Sequence, residues 1–142
     1  MTTRSATARY EGLGKAGQGS ITTQSGVLRD QKYGFGTRFE DEPGTNPEEL
    51  VAAAHAACFT MALSFALSRE GLEDGTLETT ARVTLEQDGG GFTITRSDLA
   101  LKARVPGIER AKFDEVANAA KESCPLSKLL NAAISLDIDF EE

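Results

Sequence analysis

The stretch "GTNPEELVAAAHAACFTMALSFALSREG", Gly44 to Gly71, limits what the chain can fold into more than any other. It opens and closes as a helix does. Asn46 is an N-cap residue, Pro47 suits the first helical position, and Glu49 stands three after Asn46 as in a capping box. Glu48 and Glu49 meet the positive end of the helix dipole. Gly71 suits the position just past the end, where the backbone turns left-handed. These signals predict a helix of about 24 residues, roughly 36 Å long. Its apolar residues are not confined to one stripe, and a helix apolar all round is buried on all sides. A 142-residue chain is short for surrounding such a helix, so a partner subunit is expected over one face. Leu50 to Leu67 is long enough to raise a membrane span. Its alanine content, with His55, Thr60 and Ser64, favours a packed soluble helix.

Around this helix the chain alternates. "ATARYEG", "SITTQSGV" and "KYGFGTRF" read as three extended pieces, with a glycine-rich turn, "GLGKAGQGS", between the first two. After the helix, Leu77, Thr79, Ala81, Val83 and Leu85 alternate as one face of a strand. "DGGG" is a turn. In the next strand Phe92 and Ile94 keep one phase, while Leu99, Leu101, Ala103 and Val105 keep the other, so a β-bulge is expected near Arg96 to Asp98. Phe113, Val116, Ala117 and Ala120 resume helical spacing. Pro125 pushes Cys124 out of the helical region, predicting a break there and a short helix over "PLSKLLNAA". Ile134, Leu136, Ile138 and Phe140 mark a last strand. The order β-β-β-α-β-β-α-α-β indicates an α+β fold, with residues 1–142 as a single domain and the long helix against sheet.

The net charge of −7 argues against nucleic acid or an anionic membrane as partner. "MTTRSATARYEG" has no apolar region of a secretory signal, so a reducing cytoplasm is expected, where lasting disulfides are rare. "GLGKAG" matches the dinucleotide pattern formally, but a strand rather than a helix follows it, and a hairpin turn is the better reading. Two cysteines and one histidine without metal-ligand spacing suggest no metal site. His55, the one histidine, reads either as a packed imidazole or as a neighbour that tunes Cys58 three residues on.

The two thiols carry the most chemistry. A thiol reacts as thiolate; apolar burial disfavours that form, and cations or helix N-termini favour it. Cys124, at a predicted helix start, has backbone N–H groups to help it. Cys58 lies about three turns into its helix, beyond the dipole. It is either a small buried hydrophobe or a reactive thiol served by a cation from elsewhere in the chain. Arg38, just before the long helix on an expected extended segment, is a candidate for that cation. Its other reading is a solvated arginine paired with Glu40, Asp41 or Glu42.

"SGVLRDQKYGFGTRFEDEPGTNPEELVAAAHAACFTMALS" together with "CPLSKLL" resembles the family of osmotically inducible (OsmC) and organic hydroperoxide resistance (Ohr) proteins, the OsmC branch in particular. The resemblance spans essentially the whole chain. It implies a thiol-dependent peroxidase that reduces organic hydroperoxides and, less efficiently, hydrogen peroxide, without a cofactor. It implies an intertwined homodimer with β-sheets wrapped around two long central helices. By position, Cys58 matches the peroxidatic cysteine, Cys124 the resolving cysteine, Arg38 the activating arginine and Glu48 the carboxylate that holds it. The resemblance thus implies a Cys58 sulfenic acid, a Cys58–Cys124 disulfide and an external dithiol reductant, such as a lipoyl-bearing protein. Phe35, Phe39, Phe59 and Met61 are candidates to favour bulky organic peroxides, or are core. Glu48 precedes Cys58 by about 15 Å of straight helix. It is therefore expected to serve Arg38 across a dimer axis, the alternative being a loop that folds back. A redox sensor and a binding module with packing cysteines are the rival functions.

Overall fold

A computed structural model describes residues Met1–Glu142. The chain divides into two compact units, Met1–Leu50 and Val51–Glu142.

In the first unit, β1 (Ala6–Glu11), β2 (Gln18–Thr23) and β3 (Gln31–Tyr33) form an antiparallel sheet in that order. The "GLGKAG" segment is a single 3₁₀ turn between β1 and β2, as a hairpin connection requires. The third extended piece is shorter than its sequence suggests. It ends at Tyr33, and Phe35–Phe39 forms a short helix, α1, which carries Arg38. The alternation of aromatic residue and glycine in "YGFGTRF" imitates a strand. Thr37 overrides it: its Oγ1 accepts the Gly34 N–H at 2.8 Å and donates to the Gly34 carbonyl at 3.1 Å, closing a turn.

The long helix α2 runs Pro47–Arg69. Asn46 Oδ1 accepts the Glu49 N–H at 2.8 Å, the N-cap bond. The Glu49 carboxylate instead accepts the Thr45 hydroxyl at 2.8 Å, so the expected reciprocal box is replaced by a longer reach. At the other end Gly71 has φ +88°, its N–H bonds the Ser68 carbonyl, and the Leu72 N–H bonds the Leu67 carbonyl. That is a Schellman ending.

In the second unit β4 (Thr76–Asp88), β5 (Gly91–Arg104) and β6 (Ala133–Glu141) form one sheet with β5 central. β4 is antiparallel to β5, and β6 is parallel to it. Gly89 at φ +60° and Gly90 make the two-residue hairpin turn between β4 and β5. The bulge falls at Thr95, since Thr84 pairs with Arg96 and Leu85 with Ile94. It turns the odd-numbered residues inward, so Leu99, Leu101, Ala103 and Val105 face the core. α3 (Arg110–Ser123) adds Phe113, Ala117 and Ala120, and the Phe113 and Phe140 rings lie 4.5 Å apart. α4 is Pro125–Leu129, shorter than the predicted segment, and Cys124 between the helices has φ −56°, ψ 129° as a residue before proline should.

α2 gives this core Phe59, Leu63 and Leu67, and His55 continues the same stripe one turn earlier. Only that stripe is buried within the chain. Met61 and Phe65 are 63% and 61% exposed. The helix is long and apolar enough to cross a membrane. Its buried stripe is also what a core helix presents.

Candidate active site

The short α1 and the first turn of α2 hold the arginine. The loop between them folds back because the Thr45 N–H bonds the Lys32 carbonyl at 2.9 Å, and Asn46 Nδ2 donates to the Thr37 carbonyl at 3.0 Å. Asn46 thus caps α2 and ties α1 to it. Arg38 Nε and Nη2 then donate to the two carboxylate oxygens of Glu48, each at 2.9 Å. This fork-on-fork geometry fixes the guanidinium plane as well as its position. Glu48 is 13% exposed and Arg38 34%. The pair forms within one chain, which corrects the expectation that Glu48 serves Arg38 across a dimer axis. The loop fold-back brings the two together, although ten residues separate them. Glu40, Asp41 and Glu42 do not pair with Arg38; Glu42 pairs with Lys32 at 3.2 Å.

Arg38 lines a cleft of about 410 Å³ with Tyr10, Tyr33, Phe35 and Phe39. Arg38 lies over the Phe39 ring at 5.3 Å and Lys15 over the Phe35 ring at 4.8 Å. Phe35 and Phe39 thus stand beside the guanidinium. Phe59 is fully buried in the core of the second unit, and Met61 is an exposed residue of α2.

The second unit brings the two thiols together. Cys58 in α2 and Cys124 at the α3–α4 break are 66 residues apart (124 − 58), yet Cys58 packs against the core cluster that contains Cys124, and each thiol shifts the other's titration. Both are free, Cys58 half-buried and Cys124 fully buried. Their environments push them in opposite directions. Burial raises the Cys58 thiol, the hydrogen bond with Cys124 raises it further, and the Leu126 N–H offsets part of this. Burial also raises Cys124, but hydrogen bonds from Cys58, from the Ser127 N–H and hydroxyl, and from the Leu126 N–H outweigh it. The Cys124 thiol therefore lies below its ordinary value. The helix start aids Cys124 as expected. It also aids Cys58, for which no such help was legible in sequence, because α4 lies beside α2.

His55 is fully buried and does not bond Cys58. Its Nδ1 lies 2.7 Å from Ser97 Oγ on β5, and its Nε2 lies 2.9 Å from Ser127 Oγ on α4. Burial lowers the imidazole's affinity for a proton. Ser97 and Ser127 escaped sequence reasoning. A signal existed for Ser97, which shares the inward phase of Leu99 and Leu101 and so needs a buried polar partner.

A family profile described as OsmC-like protein matches residues 39–139. The chain is 49% identical over 134 residues to Peroxiredoxin OsmC of Escherichia coli (strain K12), covering 94% of each. It is 33% identical over 124 residues to organic hydroperoxide resistance protein OhrB of Bacillus subtilis (strain 168), covering 87% of this chain and 89% of that protein. The crystal structure of B. subtilis OhrB superposes with a TM-score of 0.68 at 33% identity, over 99% of this chain and 98% of that one. An organic hydroperoxide resistance protein from Elizabethkingia anophelis gives a TM-score of 0.73 at 26% identity, over 100% and 97%.

Proposed function

This chain belongs to the OsmC-like protein family, and from that membership we propose the chemistry that follows. It is a cysteine-based peroxidase that reduces hydroperoxides at the expense of a thiol reductant. Organic hydroperoxides are its preferred substrates and hydrogen peroxide a poorer one. The Cys58 thiolate attacks the distal peroxide oxygen; the O–O bond breaks, alcohol leaves with a proton, and Cys58 becomes a sulfenic acid. Cys124 displaces the sulfenic hydroxyl as water and a Cys58–Cys124 disulfide forms. A dithiol then reduces the disulfide, and a lipoyl-bearing protein is the proposed donor.

The observation that carries this reading is the meeting of two free thiols 66 residues apart (124 − 58), Cys58 packing against the core cluster that contains Cys124. A packing pair has no need of it, whereas a resolving thiol must reach the sulfenic sulfur. Which thiol attacks is assigned by the family match. We assign Arg38, held by Glu48, as the positive charge that shifts reactivity to Cys58. The aromatic cleft around Arg38 supports an organic substrate, with Phe35 and Phe39 as contacts. The apolar residues exposed on α2, Met61 and Phe65, support a homodimer built on that helix. The family match spans parts of both compact units, which supports reading residues 1–142 as one functional domain. Two reduced thiols with redox work to do suit the cytoplasm.

Stopped-flow reaction with cumene hydroperoxide tests the assignment. Cys58→Ser should abolish the first oxidation. Cys124→Ser should give one turnover and a sulfenic acid that dimedone traps. Mass spectrometry of the unsubstituted protein after one equivalent of peroxide should find the Cys58–Cys124 bond. Full peroxidase activity in Cys58→Ser would sink the assignment. Oxidation without turnover in the presence of a dithiol would make the protein a sensor.

A further inference from the structure

We propose that Ser97, His55 and Ser127 form a buried hydrogen-bonded chain that ends on the sulfur of Cys124 and positions it for disulfide formation. This rests on the assignment of Cys124 as the resolving cysteine. The three side chains come from β5, α2 and α4, and each ring nitrogen of His55 meets one hydroxyl, at 2.7 Å and 2.9 Å. Ser127 stands in the first turn of α4, three residues after the N-cap Cys124, and the Ser127 hydroxyl with the Ser127 and Leu126 N–H groups draws the Cys124 thiol down. Cys58 is the titratable group that faces it from α2. Packing alone does not explain these choices. Ser97 occupies a core position in phase with Leu99 and Leu101, and His55 continues the stripe of Phe59 and Leu63, where apolar residues would fill space without polar atoms to satisfy.

A neutral imidazole has one donor and one acceptor, so the chain can run in only two directions. In one, Ser97 donates to Nδ1, the Nε2–H donates to Ser127 Oγ, and the Ser127 hydroxyl donates to the Cys124 sulfur. Every bond then points its proton toward the sulfur, which suits a thiolate. In the other, the Cys124 thiol donates to Ser127, Ser127 to Nε2, and Nδ1–H to Ser97, which suits the thiol. The protonation of Cys124 is thereby tied to the tautomer of His55. During resolution a sulfur–sulfur bond forms, the Cys58 S–O bond breaks, and the oxygen leaves as water carrying the thiol's proton. Cys124 is oxidised and Cys58 reduced. The chain keeps the attacking sulfur aimed and supplies a donor to its charged form. Ser127 and His55 are positioning residues, since neither touches peroxide in this scheme.

The test separates the two steps in the full-length protein. Cumene hydroperoxide is added in one equivalent, and quenched samples are followed by mass spectrometry for Cys58 oxidation and for the disulfide, across a pH series. Ser127→Ala should slow disulfide formation by about tenfold, the effect of losing a hydrogen bond to a charged group, and raise its pH midpoint. Ser127→Thr keeps the hydroxyl and should recover both. His55→Gln keeps one donor and one acceptor and should retain more of the rate than His55→Leu. An unchanged rate and midpoint in Ser127→Ala, or a Thr variant as slow as the Ala one, overturns the proposal alone. Absence of the disulfide in the unsubstituted protein overturns the resolving role itself, and this proposal with it.

Discussion

Arg38 and Glu48 make the ion pair whose geometry matters most to the proposed chemistry. Two N–H groups of the guanidinium are committed to the carboxylate, so its plane is set before any substrate arrives. Arg38→Met removes the charge and should slow the first oxidation of Cys58 by about a hundredfold, the upper end of the ~1.5–3 kcal/mol for a hydrogen bond to a charged group. Glu48→Gln leaves the charge but loosens its aim. Its loss should be smaller, about tenfold, because Arg38 is partly exposed and solvent screens the pair. Rapid-mixing rates of sulfenate formation check both. At His55 the sign follows from burial. The folded imidazole resists a proton that the unfolded one accepts near pH ~6.5. Below that pH the unfolded state binds more protons, so stability falls as pH drops toward the lower folded value and is regained above it. Urea unfolding between about pH 7 and 5 should show this loss, and His55→Gln should flatten it.

Elements show how local chemistry places these residues. Asn46 does two jobs: Oδ1 caps α2, and Nδ2 ties the end of α1 to the start of α2. Asn46→Ala should therefore lower stability by about 1–2 kcal/mol, read from the urea midpoint, and also reduce peroxidase activity by releasing Arg38. Asn46→Asp keeps the cap oxygen and loses the donor. It should retain most of the stability while losing activity, which separates the two roles. The β5 bulge works similarly. By adding Thr95 to the strand it turns Ser97 toward the core, where His55 meets it. The phase slip was legible in the alternation of Ile94 and Leu99. That it delivers a hydroxyl to a histidine 42 residues earlier was not.

At the scale of the whole molecule the apolar surface of α2 is unresolved business for a single chain. Phe59, Leu63 and Leu67 are covered, whereas Met61 and Phe65 stand more than half exposed. Covering each is worth about 1.5–3 kcal/mol, enough to drive pairing when several act together. Phe65→Glu with Met61→Glu should convert a sedimentation profile of dimers into monomers and lower thermal stability. A monomeric unsubstituted protein at micromolar concentration would end the homodimer proposal.

The sequence by itself determined the elements whose causes are local. Asn46 and Pro47 start α2, Gly71 ends it, Pro125 breaks the chain at Cys124, and period-two alternation marks β4 and β6. Each depends on residues within a few positions of one another. Only the tertiary structure decided what depends on distant partners. It drew Glu48 to Arg38 within one chain and set Cys58 against Cys124. It also turned His55 from its sequence neighbour Cys58 to Ser97 and Ser127. Hydrogen bonds reach about 3 Å and take no account of separation along the chain. A pattern of residues can announce that a buried histidine needs partners, but only folding chooses which ones.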